Sequence, residues 1–286
     1  MMIKYKLINK DRTGNITTKQ DSIYYLAFVK ELSFAGINSN FPTLETYCRL
    51  LTNFFEFIPS FIHSRFHLHP DLENDPTERN QFSNKVGRTF AVYLAKKISG
   101  AKYVYNYECA LKKKGFPISG RRPDYYCDTG TQSFSLEAKG SCVKSVSDSV
   151  MQTVKNQAQS SKLSTQFSIA SKTYNIYNSP IIKFYDPEGN NKSYDTELCN
   201  FLRKDYYNGI INLLNSPYFT QTEKSEKDFY SYTPQSFSDL FQILIHKEII
   251  ETKDFSESLT PIETDNLFID SDGIGLRINL DTIKLK

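Results

Sequence analysis

Pro123-Asp124, followed by Glu137-Ala138-Lys139, is the set of residues in this chain whose types and spacing could do chemistry. Two carboxylates that reach one point can hold a hard divalent cation such as Mg²⁺, which takes oxygen ligands and keeps several waters. The main-chain carbonyl of Ala138 is a ready third protein ligand, and Mn²⁺ can substitute. A cation held there polarises a phosphodiester and lowers the pKa of a bound water, while an ammonium beside it orients that water or offsets developing charge. In this reading Asp124, Glu137 and Lys139 are catalytic, and Asp124, Glu137 and Ala138 hold the metal.

The elements that must position these groups follow from the local pattern. Asp128-Thr129-Gly130-Thr131 supplies turn residues between aromatic and β-branched flanks, so residues 122–140 predict a hairpin. Phe134, Leu136 and Ala138 alternate with Ser135, Glu137 and Lys139, which predicts one buried apolar face and one face carrying the acid and the lysine. A turn over 128–131 pairs Cys127 with Gln132 and sets Asp124 opposite Ser135. The two acids are then diagonal neighbours, roughly 7 Å apart.

This arrangement resembles the PD-(D/E)xK superfamily of nucleases, with the restriction-endonuclease-like fold, over about residues 78–172. The resemblance implies an α/β core of order αβββαβ, with a mixed central sheet flanked by helices, and a Mg²⁺-dependent nuclease. Matching segments occur in order. Thr77 is placed to cap a helix with Phe82, Val86, Phe90, Tyr93 and Leu94 as its stripe, ended at Gly100, and residues 103–108 read as a strand. Val146, Val150, Met151, Val154 and Ala158 give a second helix, and Phe167 begins a strand that a crossover would set parallel in the sheet.

The superfamily often adds a further acid from the first helix or strand, for which Glu78 and Glu108 are alternatives here. Each also has an ordinary reading, in a helix's first turn or at a solvated strand end. Gln157 matches a glutamine that some relatives carry on the helix after the motif. Lys112, Lys113, Lys114, Arg121 and Arg122 bracket the connection into the second strand, and such cations supply the sequence-independent part of nucleic-acid affinity. His63, His67 and His69 lack the further ligands of a zinc site.

Composition bounds the rest. The 286 residues, 39% hydrophobic, suffice for one good core with satellites or for two small domains. A net charge of only +3 gives no global field that attracts nucleic acid, so attraction must come from local patches. Five cysteines without a CxxC pair predict free thiols, and the absence of a signal-like or transmembrane run predicts a cytoplasmic protein with no membrane partner.

Three segments are expected: a mostly helical extension at 1–76, the nuclease core at 77–175 and a mixed α/β docking region at 176–286. Helices are predicted from Asp21 or Ser22 to near Gly36, and from Thr43 with Leu44, Tyr47, Leu51, Phe54, Phe55 and Ile58 inward. Residues 70–76 read as a linker, 181–185 as apolar, 196–214 as helix and 220–231 as a surface loop. A helix with Phe237, Leu240, Phe241, Leu244 and Ile245 inward and a terminal strand with Ile274, Leu276, Ile278 and Leu280 complete the reading.

The leading expectation is an enzyme, a metal-dependent deoxyribonuclease, endonuclease ahead of exonuclease, with RNA the alternative substrate. The layout is similar to effector nucleases of bacterial anti-phage defence, of which the Hachiman nuclease subunit beside its helicase is one arrangement, or to a restriction enzyme. A helicase or other defence subunit and a second copy of the chain are the partners this implies. The competing class is an inactive nuclease-fold module that binds nucleic acid or a protein.

Overall fold

The computed structural model describes residues 1–186, 189, 192–222, 228–238, 240–255 and 259–282. Residues 1–24 form a hairpin. Strand β1 (Met2–Lys10) pairs antiparallel with β2 (Ile16–Tyr24) and buries Ile3, Tyr5 and Leu7 on one face. The segment expected to be mostly helical thus opens with two strands, since those three residues follow the period of two that belongs to a strand, and its helices come after them. The helix expected from Asp21 or Ser22 begins only at α1 (Tyr25–Phe34), because β2 uses the preceding residues.

The chain continues through α2 (Thr43–Ile62), α3 (Pro70–Glu73), α4 (Pro76–Ser99), β3 (Tyr103–Asn106), α5 (Tyr107–Lys113), β4 (Tyr125–Asp128), β5 (Ser133–Gly140), α6 (Asp148–Ala158), β6 (Phe167–Tyr174) and β7 (Ile181–Tyr185). It ends with α7 (Thr196–Leu214), β8 (Phe219–Gln221), β9 (Phe229–Pro234), β10 (Phe241–His246), α8 (Lys247–Thr252), β11 (Ile262–Glu263), β12 (Leu267–Ile269) and β13 (Ile274–Ile278).

The fold is mixed α/β. A seven-stranded sheet has the order β2-β1-β7-β6-β5-β4-β3, with β5-β6 and β1-β7 parallel and the other neighbours antiparallel. Strand β1 from the first expected segment and β7 from the third are thus hydrogen-bonded beside the central strands. A second, antiparallel sheet of six strands runs β11-β12-β13-β10-β9-β8. One large apolar cluster joins both sheets through α1, α2, α4 and α7.

Several elements differ from the sequence reading for identifiable reasons. Asp75, not Thr77, caps α4: its carboxylate accepts from the N–H groups of Thr77 (2.7 Å) and Glu78 (3.3 Å), and Pro76 fills the first helical position. The expected stripe of that helix is buried, and Gly100 ends it with φ 70°. On α2 the buried line is Tyr47, Leu50, Phe54, Phe57 and Phe61, and the expected Leu44 and Phe55 are exposed. Residues 103–108 divide into a strand and the start of α5, because the Asn106 side chain accepts from the Cys109 N–H and caps a helix there.

Phe241, Leu244 and Ile245 belong to strand β10 rather than a helix, since the apolar run is short and buried on both faces, a pattern that periodicity alone cannot assign. Parts of the expected loop at 220–231 form β8 and β9, while residues 223–227 lie outside the described set. Leu280 falls beyond β13. All five cysteines are free thiols.

Candidate active site

The hairpin expected around the motif forms, with its register displaced. Asp128 pairs with Ser133, Cys127 with Phe134 and Tyr125 with Leu136, so the connection is Thr129–Gln132 and Cys127 does not face Gln132. Continuing outward, Asp124 stands opposite Glu137 and not Ser135. A displacement of two residues keeps every side chain on its expected face, so the acids still meet, now directly across the strands. The Asp124 N–H donates to the Leu136 carbonyl at 3.2 Å, and Asp124 Oδ2 accepts the Ala138 N–H at 3.0 Å.

That second bond fixes the Asp124 carboxylate against the strand that carries the other two motif residues. Because the N–H and C=O of one strand residue project to the same side, the Ala138 carbonyl also faces Asp124, just beyond the start of β4.

Glu137 is fully buried, which the expected half-exposed strand face did not anticipate. Helix α4 packs on one face of β5 and α6 on the other, where Ser135 Oγ donates to the Ala158 carbonyl at 2.7 Å. Lys139, 38% exposed at its side chain, lies over Glu137 with Nζ 2.5 Å from Oε1, but neither carboxylate oxygen has a hydrogen bond of good geometry. Burial, followed by the negative charge of Asp124, pushes the Glu137 carboxyl up to about 7, against the opposing pull of Lys139. Burial works against the charge of Lys139, but Glu137 and Asp124 outweigh it and hold its pKa above the ordinary lysine range.

Two further cations near the motif escaped the sequence reading. Lys172 on β6 is in register with Lys139, and its pKa is lowered by burial and then by that neighbour. Arg88, on α4, donates from Nε to the Tyr125 hydroxyl at 2.9 Å and reaches the cavity beside Asp124. It was hidden because it lies on the polar side of a helix noted only for its apolar stripe.

A cavity of about 420 Å³ brings together many of the expected residues: Glu108, Arg121, Arg122, Asp124 and Gln157 line it together with Arg88. Gln157 Nε2 donates to the Arg122 carbonyl at 3.0 Å, which ties α6 to the loop before β4. Glu108 is placed by α5 rather than by a strand, and the Arg122 guanidinium engages its carboxylate, with Nε at 2.8 Å. Glu78 sits in the first turn of α4, and its side chain makes no hydrogen bond or ion pair to Asp124, Glu137 or Lys139 among the described residues.

Lys113 and Lys114 are turned toward α7 instead. Lys113 Nζ lies 3.4 Å from the centre of the Phe201 ring, and Lys114 pairs with Asp195 at 2.7 Å. Neither these two nor Lys112 lines the Asp124 cavity, because the short helix α5 carries the lysine run away from the motif. Another cavity, of about 680 Å³, lies between the end of α4 and β12, and no motif residue lines it.

Among the described residues no group of three or more His, Cys, Asp or Glu side chains converges as a metal site. The fit of a cation therefore rests on two carboxylates and a carbonyl. The carboxylate oxygens of a buried Glu137, one of them met only by Lys139, opposite the Asp124 carboxylate, are the donor chemistry a hard cation takes. Among the described residues no helix is long and apolar enough to cross a membrane. Comparison with protein-family models, with curated proteins and with solved structures gave no match in any of the three.

Proposed function

We propose that this chain is a metal-dependent nuclease of the PD-(D/E)xK type that hydrolyses phosphodiester bonds, most directly in DNA, as an endonuclease serving anti-phage defence or restriction. The observation that carries this reading is the placement of Asp124 opposite a fully buried Glu137, with Lys139 Nζ 2.5 Å from its Oε1. The element order α4, β3, β4, β5, α6, β6, with α5 inserted after β3, supports the restriction-endonuclease-like reading.

Asp124, Glu137 and the Ala138 carbonyl would hold Mg²⁺ or Mn²⁺. When bound, such a cation supplies charge stabilisation at the phosphate and a more acidic water. The chain's own groups do the rest. The Ala138 N–H fixes the Asp124 carboxylate, which lines the cavity. Lys139 remains cationic and can move from Glu137 to a phosphate oxygen or the attacking water once the carboxylate has another positive partner. Arg88 and Arg122 present guanidinium groups to the phosphates entering the cavity.

The test is Mg²⁺-dependent cleavage of plasmid, linear and single-stranded DNA and of RNA by the wild type beside Glu137→Ala and Lys139→Ala. Loss of about 10²-fold or more in each variant is expected; equal activity in all three removes the proposal. Discrete fragments would point to restriction and smears to an effector.

One observation favours a second reading, a non-catalytic nucleic-acid-binding module: Glu137 is closed off beneath Lys139. Calorimetry showing no Mg²⁺ or Mn²⁺ binding, with DNA affinity retained, would select it.

A further inference from the structure

A second recess, of about 510 Å³, adjoins the motif cavity and shares Arg88 and Asn106 with it. It is framed by α2 and α4, and Arg49, Gln81, Asn84 and Lys85 line it. The cations differ in their engagement. Lys85 is paired with Glu56 at 2.6 Å. Arg49 and Arg88 are exposed, and their guanidinium groups bond only neutral oxygens: the Leu32 carbonyl at 3.1 Å for Arg49 and the Tyr125 hydroxyl for Arg88. Among the described residues neither has a carboxylate within ion-pair distance.

We propose that this recess is the track along which the strand being cut runs away from the motif, with Arg88 at the phosphate next to the scissile one and Arg49 further along. The inference rests on the nuclease reading and adds the side of the molecule and the form of the substrate to it. Guanidinium groups without acidic partners are matched to phosphate oxygens. Gln81 and Asn84, exposed on α4 and lining the same recess, offer amide donors and acceptors to the Watson–Crick edges of bases, which only an unpaired strand leaves open. The substrate class is therefore single-stranded nucleic acid, or an unpaired stretch within a duplex.

The experiment uses the full chain carrying Lys139→Ala, in Mg²⁺, and follows a labelled single-stranded DNA oligonucleotide by fluorescence anisotropy over a salt series. For single strands the slope of log affinity against log salt changes by about 0.7 for each phosphate contact. Arg49→Ala and Arg88→Ala are each expected to lower the slope by about that amount and to weaken binding several-fold at low salt. Arg49→Lys should restore the slope, and Lys113→Ala, on the α7 side, should leave it unchanged.

Slopes unaltered in both arginine variants, with melting curves that show them folded, overturn the track, as does the absence of binding by the parent. Tighter binding of the matching duplex overturns the assignment of an unpaired strand. Cleavage gels report separately on the nuclease reading: activity in Lys139→Ala equal to that of the wild type counts against that reading and leaves the salt slopes to decide the track.

Discussion

Gly87 and Gly140 meet backbone to backbone. A Cβ on Gly87 would lie 2.4 Å from the Gly140 nitrogen, and one on Gly140 would lie 1.7 Å from the Ser83 carbonyl oxygen. Helix α4 is thereby set against the end of β5 immediately after Lys139, which brings Arg88 to the motif. Backbone cannot retreat as a flexible side chain can, so each glycine is required for its lack of a side chain.

Gly140→Ala and Gly87→Ala should each therefore cost about 1–3 kcal/mol or more, through overpacking at a contact between two rigid elements. The melting temperature is expected to fall by several degrees, and the proposed hydrolysis to fall more steeply than stability alone explains. An unchanged melting temperature in either variant would show that α4 and β5 can separate at little cost.

Metal affinity should depend on pH through Glu137. Its carboxyl is pushed up to about 7, and only the ionised form binds a cation, so Mg²⁺ affinity should rise as pH climbs toward 7 and level off above it. Calorimetry between pH 5.5 and 8.5 measures this, and affinity that is flat across the range contradicts it.

The same shift has a stability consequence of opposite direction. The folded pKa is raised from 4.5, so the stabilisation exists below about 4.5 and is lost as pH rises through about 7. Its size is on the order of 3 kcal/mol. Glu137→Gln, which stays neutral, should not share the loss, so its stability relative to the wild type is expected to grow between pH 4.5 and 7. Parallel denaturation curves for the two proteins would refute the buried carboxyl.

Lys30 and Lys96 lie among Glu31, Asp270 and Asp272, all buried or nearly so, and Tyr206 donates to Asp272 at 2.8 Å. Removing one cation leaves carboxylates uncompensated away from water, so Lys30→Met should cost about 3–5 kcal/mol. A variant as stable as the wild type in urea would show that water or protons replace the lysine freely.

Glu108 should prove dispensable for the metal. Arg122 already holds its carboxylate, and the exposed pair contributes no more than about 1 kcal/mol. Glu108→Ala is expected to leave Mg²⁺ affinity within about twofold of wild type by calorimetry. A tenfold loss would instead make Glu108 the third acid of the site.

What the sequence by itself determined was the local, periodic part. Alternation through 133–140 defined β5 and put Glu137 and Lys139 on one face, and the stripe ending at Gly100 defined α4. Asp124 met Glu137 although the turn was misplaced, because an error of two residues preserves strand faces. The decisions left to tertiary structure were those that depend on what lies beyond the next turn of chain. Glu137 is buried because α4 and α6 cover both faces of β5, and no property of Ser-Phe-Ser-Leu-Glu-Ala-Lys announces two helices. Arg88 comes beside the motif through the contact of two glycines, and Arg49 enters the adjoining recess through the packing of α2 near α4, over sequence distances that a period cannot span. The lysines at 112–114 lie close to the motif along the chain, yet α5 turns two of them toward α7, since a helix directs side chains by its axis and not by proximity in sequence.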